Sequence, residues 1–405
     1  MMKRPAFTLG VEEEYLLVNK ETRDLVSEPP ADLLPRMSDA IGTQVSPEFL
    51  QSQVEIGTGI CETPADVRAD LKRLRGAVCD VAAEYGYAPI AASTHPFAKW
   101  SEQHHTEKAR YDQIAKDLAG TVRRLLICGM HIHCGIEDDD LRIDLMNQVS
   151  YFLPHILALS ASSPYWQGED TGMASYRLTV FDALPRTGVP DSFDSWPEYQ
   201  RVVSRLVEVG AIEDASKIWW DIRPSVRWPT LEARVADVCT RIEDAVALAA
   251  LYQCLLSMLF TLREKNQRWR VYPRILIEEN RWRAQRYGVT RDMADFGQGK
   301  MVSFGDLSDE LVGLLKEEAR QLGCTEELSH VATIARRGTS SQAQRTAYDE
   351  ARADGADHDQ ALIAVVDHLR ETYLCLPIRR PNLKRLRFAV SWRICRNAPM
   401  FRISI

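Results

Sequence analysis

Two short stretches raise the chemical question. Glu12 and Glu14 sit in "LGVEEEYLLV", and His131 and His133 sit in "GMHIHCGI". Each pair is spaced two apart, and a strand turns residues i and i+2 to the same face. Two imidazoles aimed one way suit a metal site or a phosphate site, and a plain buried strand accounts for them equally well. Two carboxylates on one face repel each other unless something neutralises them. Glu55 in "QVEI" and Glu232 in "TLEAR" add further carboxylates to strand-like segments, and Glu48 lies seven positions before Glu55. Glutamate is a poor strand former. Its recurrence on strands points to a hard divalent cation, because Mg²⁺ and Mn²⁺ take carboxylate oxygens and water, sometimes with a histidine. Glu13 faces the other way and is expected to decorate the solvent side of an open sheet.

Arginines give a second signal. Arg177 ends the loop "YWQGEDTGMASYR", Arg223 stands in "DIRPS", and Arg234 follows Glu232 by two positions on the same face. Guanidinium groups beside metal-binding carboxylates suit a site that handles phosphates and substrate carboxylates. A phosphate-cradling glycine loop is missing. "DFGQGKM" supplies Gly299 and Lys300, but the position that needs the earlier glycine holds Ala294. Any ATP would therefore be held by cations and arginines.

The elements that must position these groups follow from periodicity. Strands are expected over 7–18, 50–63, 87–95 and around 129–136, with two more in "KIWWDIRPS" and "PTLEARVADV". Residues 63–86 read as an amphipathic helix with Thr63 as N-cap and Pro64 at its first position. Further helices are expected over 107–125, 141–164, 196–212, 240–287 and 303–372. Several strands are neighbours in sequence, which favours an α+β fold with an antiparallel sheet over a doubly wound parallel one.

Composition sets outer limits. The 405 residues carry a net charge of −7, which argues against a nucleic-acid partner. The longest apolar run, 245–260, is short for a membrane span and suits a buried helix. Nine cysteines without a CxxC pair read as reduced thiols of a cytoplasmic protein. The apolar helix could equally serve a homo-oligomer interface. Residues 376–405 hold eight Lys or Arg and no acidic residue, so the tail does not match the body. The expected division is one domain over 1–375 and an atypical basic segment over 376–405, read either as an interaction tail or as an incidental extension.

As a set, "LGVEEEYLLV", "SQVEIGTGICET", "GMHIHCGI", "LSASSPYWQGEDTGMASYR", "WWDIRPS", "PTLEARVADV" and "ENRWRAQRYG" resemble the carboxylate-amine ligase family, most closely its YbdK-like group, the type 2 glutamate–cysteine ligases. The resemblance implies a glutamine-synthetase-like catalytic fold whose antiparallel sheet cradles ATP and two or more Mg²⁺ or Mn²⁺ ions. It also implies small-molecule substrates: an acid activated as an acyl phosphate, then captured by an amine, with glutamate and cysteine as the name-giving pair. Carried over by position, Glu12 and Glu14 match carboxylates of two different metal sites. Glu55 matches another ligand with Glu48 as its partner, and Glu232 a late ligand. His131 matches a group on a metal or on the nucleotide phosphates, with His133 in support. Arg234 matches a phosphate-facing arginine, and Arg177 and Arg223 match contacts to phosphate or substrate carboxylate. The loop "QGEDTG" would cover the site. Two departures stand out: Ala233 replaces the aromatic of the family's "TLEFR", and the ending from about 376 is unlike the family's.

Two rivals remain open on sequence. A metal-dependent hydrolase of the amidohydrolase type would use "HIH" together with further strand-end histidines, but His155, His330, His358 and His368 all fall in helix-like segments. A non-catalytic binding protein on the ligase fold would need no complete carboxylate set.

Overall fold

The computed structural model describes residues 3–106 and 124–373. The expected helix over 107–125 lies almost wholly outside the described residues, as does the basic tail. Among the described residues, seven strands form one sheet. They are β1 (Leu9–Asn19), β2 (Val45–Pro47), β3 (Gln53–Gly57), β4 (Tyr87–Ile90), β5 (Met130–Gly135), β6 (Ile222–Pro224) and β7 (Thr230–Ala233). Their order is β6-β7-β5-β1-β3-β2, and β4 pairs with the far half of β1. Every pairing in this sheet is antiparallel, as the close spacing of strands in sequence implied.

β1 is the axis of the sheet. β5 pairs with its first half over Leu9–Glu13 and β4 with its second half over Leu16–Asn19, while β3 pairs over Glu12–Leu16. Its alternation is strict at the start: Leu9, Val11 and Glu13 are buried, and Gly10, Glu12 and Glu14 are part-exposed. Helices cover the Val11 and Glu13 face. One is Pro64–Glu84, which begins as expected: Thr63 Oγ1 accepts from the Asp66 backbone N–H, and the Asp66 carboxylate accepts from the Thr63 N–H. This reciprocal cap satisfies two donors that the helix start would otherwise leave open. The other is Ile242–Glu264. It is apolar all round, long enough to cross a membrane, and 89% buried over its most apolar window. Burial on every side is the mark of a core helix. The main hydrophobic core runs from Phe7 to Tyr373 and includes both helices. The seven described cysteines are free, and six of them are buried.

Glu13 corrects the expectation placed on it. It is fully buried on the helical side, where Arg75 grips both its oxygens at 2.7 and 2.9 Å and the Tyr15 hydroxyl donates to it. Arg75 also donates to the carbonyls of Cys239 and Thr240. A buried carboxylate persists only with such partners, and these come from distant parts of the chain.

Candidate active site

Cross-strand register assembles the site. On β1 and β5, Glu12 stands opposite His131; on β1 and β3, Glu14 stands opposite Glu55. On β5 and β7, His133 stands opposite Glu232, which in turn faces Arg223 on β6. Directly opposed residues share a face, so the alternation in each strand and the pairing between strands place these side chains together. Ala233, the departure from the family motif, points into the core and is buried.

Two clusters result. In the first, Glu12 Oε2 lies 3.1 Å from His131 Nδ1 and Glu12 Oε1 lies 3.6 Å from His133 Nε2. Glu12, His131 and Glu232 offer donor atoms within 4.8 Å of one another, close enough to hold one ion. Burial pulls the His131 imidazole down to about 4, with Arg234 adding to the effect, so it is neutral at physiological pH. A neutral imidazole is the ligand form. Burial also lowers His133, but the Glu12 carboxylate 3.6 Å away and the charge of Glu232 outweigh it and leave its pKa raised. Burial works to raise Glu12 and Glu232, yet the histidines hold Glu12 low, and Arg234 and Arg223 hold Glu232 low. Both are therefore ionised. Arg223 donates to Glu232 at 3.0 and 3.3 Å and to the carbonyls of Ser216 and Ile218, so its donors orient Glu232. Arg234 also bonds Glu232. Two buried nitrogens here, His133 Nε2 and Arg234 Nε, have no hydrogen-bond partner among the described residues. Buried polar atoms are seldom left so, and they mark where a ligand's oxygens would bond.

The second cluster is Glu14, Glu48 and Glu55. Burial, with the charge of Glu55, pushes Glu14 up to about 7. Burial and Glu14 push Glu48 up to about 7, and burial and Glu48 push Glu55 well above the usual range. Arg177 and Arg234 only partly offset this. Three crowded carboxylates that resist ionisation are a set a divalent cation would relieve, since its charge replaces the protons. The donor chemistry of both clusters, oxygens with one imidazole, fits a hard cation.

Arg177 lies at one end of this face. It is buried, and among the described residues its guanidinium meets the carbonyls of Arg234 (3.3 Å) and Val235 (3.5 Å) and no carboxylate. It lies flat over Gly129, where any Cβ would collide with it. The same Gly129 donates its N–H to Glu14 Oε2 at 2.7 Å. Sequence reasoning passed over this glycine, and also over Thr230, whose hydroxyl meets His133 Nδ1 at 2.8 Å and orients the ring. The loop expected to cover the site is a small hairpin, Tyr165–Trp166 against Glu169–Asp170. Asp170 is tied to Arg345 of the helix Ser340–Ala353 at 2.6 and 2.8 Å, so this loop is docked onto a helix. Three tryptophans lie in neighbouring segments: Trp166 packs on Tyr176, Trp220 on Phe193, and Trp219 under Arg186. The histidines a hydrolase would need are elsewhere: His155, His330, His358 and His368 all lie in helices. The Gly299–Lys300 turn is closed by Asp295, which accepts from Gly297 and Gln298, and is no phosphate loop.

The chain is similar to known proteins in sequence and in fold. A protein of Rhodospirillum rubrum named "Putative glutamate--cysteine ligase 2" is 57% identical over 372 residues, covering 91% of this chain and 96% of its own. A Chloroflexus aggregans protein of the same name is 42% identical, covering 92% and 94%. Among solved structures, the glutamate–cysteine ligase of Francisella tularensis in complex with AMP superposes with a TM-score of 0.64 at 12% identity, over 92% of this chain and 90% of that one. A bifunctional glutathione synthetase from Pasteurella multocida gives 0.65 at 14% identity, over 91% of this chain and 53% of its own. At such identity the likeness speaks for the fold, which is the expected α+β, glutamine-synthetase-like one. The model of glutamate-cysteine ligase family 2 matches residues 8–368, and the chain belongs to that family.

Proposed function

We propose that this protein is an ATP-dependent carboxylate–amine ligase that joins L-glutamate to L-cysteine as γ-glutamylcysteine. The observation that carries the reading is one sheet face bearing two carboxylate clusters ringed by Arg177, Arg223 and Arg234. Phosphoryl transfer needs the charge on the moving group neutralised, and an arrangement of cations and guanidinium groups does that without a glycine loop. Glu12, His131 and Glu232 would hold one Mg²⁺ or Mn²⁺ and Glu14, Glu48 and Glu55 another; bound cations would neutralise the phosphates of ATP. A substrate carboxylate oxygen attacks the γ-phosphorus and ADP leaves. The amine then attacks the acyl carbon, loses a proton, and expels phosphate. Arg234, with its free Nε, and His133, with its free Nε2, support contacts to the phosphates; Arg177 supports a contact to phosphate or to the substrate carboxylate. Residues 1–375 form the catalytic domain, with 376–405 appended, and the enzyme works in the cytoplasm on small molecules, with no nucleic-acid or membrane partner.

The test is a screen of amino acids and amines for substrate-dependent ADP release, with product masses. Glutamate plus cysteine should give ADP and a γ-glutamyl dipeptide. Activity with another acid and amine would move the substrate assignment and keep the class. Amide cleavage without ATP would return the hydrolase, and inert binding of ATP the non-catalytic reading.

A further inference from the structure

Asp237 stands behind the site and touches none of the groups assigned to it so far except through others. It is fully buried in "VADV", five positions after Glu232. Oδ2 accepts from the Ser162 N–H and the Ser163 hydroxyl, and Oδ1 from the Ser175 hydroxyl, all at 2.8 Å. Its own N–H donates to Ser160 Oγ at 3.0 Å. One carboxylate thus ties the chain leaving β7 to both ends of the loop that runs from Ser162 to Arg177.

The ties continue to Arg177. Ser163 Oγ, held by Asp237, accepts the Arg177 backbone N–H at 3.1 Å. The Tyr176 N–H donates to the Ser163 carbonyl, and Ala174 and Ser175 donate to the Gln285 carbonyl. Asp237 also forms an isolated bridge with Gly129, the residue over which the Arg177 guanidinium lies and which donates to Glu14. Backbone, guanidinium floor and counter-strand of Arg177 all meet at this aspartate. A buried charge such as Arg177, which meets no carboxylate among the described residues, costs free energy unless its surroundings hold it.

Resting on the ligase reading, we infer that Asp237 is a positioning residue: through Ser163 and Ser175 it sets the loop that presents Arg177 to the reacting anion. Its role is geometric, so a substitution is felt at Arg177. Asp237→Asn keeps the volume and one acceptor but faces an amide N–H₂ toward a serine. A small displacement of a positioning group costs up to about 100-fold in rate.

The test is a double-mutant cycle on kcat for substrate-dependent ADP release, with Asp237→Asn and Arg177→Lys alone and combined. Asp237→Asn should lower kcat about 10-fold or more in the native background, and change it little once Arg177 is lysine. An equal factor in both backgrounds overturns the inference. The second readout needs no turnover: modification by phenylglyoxal, mapped to Arg177 by peptide mass, should speed up in Asp237→Asn at unchanged circular dichroism. An unchanged labelling rate also overturns it. If the native protein releases no ADP with any acid and amine, the ligase reading falls, and labelling alone decides whether Asp237 places Arg177. If Asp237→Asn does not fold, Ser163→Ala enters the same cycle and labelling with the same expected results.

Discussion

Three consecutive glutamates on β1 have opposite fates. Glu13 is sealed on the helical face with Arg75 on both oxygens and Tyr15 beside it. Glu12 and Glu14, one residue away on either side, lie on the opposite face of the sheet, where burial and Glu55 push Glu14 up to about 7. The back carboxylate has its partners built in; on the front, Glu12 has His131 and His133, and Glu14 has been left short of positive charge. An internal salt bridge is finished when the chain folds, whereas a set of repelling carboxylates is finished only by something that binds. That difference separates structural from functional charge on a single strand, where residue type alone does not.

Substitutions can break the contrast. Glu14→Gln should abolish ligase turnover, by about 1000-fold or more, since it removes a cation ligand and with it charge neutralisation. The melting temperature of the metal-free protein should hold or rise, because one repelling carboxylate is gone. Glu13→Gln should do the reverse. It leaves Arg75 buried and underpaired, so chemical denaturation should show a loss of about 3–5 kcal/mol, while the activity of the folded protein changes little. A Glu13→Gln variant as stable as the native protein would break the comparison.

Gly129→Ala sits between these extremes. The added methyl group would collide with Arg177, and ligase assays should show a fall of roughly 10- to 100-fold in kcat with the fold retained.

The smallest expected effect concerns pH. Glu14 and Glu48 titrate near 7 in the folded protein, well above the usual carboxylate value. Between about pH 4.5 and 7 these two carboxylates bind more protons in the folded state than in the unfolded one, so their contribution to stability falls as pH rises through that window. Relative to Glu14→Gln, the melting temperature of the chelator-treated native protein should drop by a few degrees from pH 5 to 7.5, and Mg²⁺ should flatten that difference at the upper end. A difference that stays constant across this range would show that the front carboxylates are already satisfied.

Much of the site was legible because strands alternate. "VEEEY" put Glu12 and Glu14 together, "HIH" did the same for the histidines, and "TLEAR" aligned Glu232 with Arg234. What alternation does not supply is the partner. The burial of Glu13 depends on Arg75, 62 positions away on a helix, and no local pattern reveals that pairing. Glu232 carries two arginines: alternation places Arg234 beside it, and register, which no local pattern reveals, sets Arg223 opposite it. Helix limits were read less well: the segment 141–164 is two helices, Asp139–Val149 and Leu153–Ser160, joined by a tight turn at Ser150–Phe152 just before Pro154. Proline disfavours the helical conformation of the residue before it and removes a donor.

The place of β1 has a consequence for what the chain can tolerate. It is bordered by β3 on one side and by β5 and β4 in succession on the other. A single residue inserted between Leu9 and Glu14 would turn the following side chains over, sending ionised groups into the apolar core and leaving Arg75 without its partner. Loops at the rim can lengthen without such inversion. In an inventory of viable insertions, β1 should be the segment where none survive.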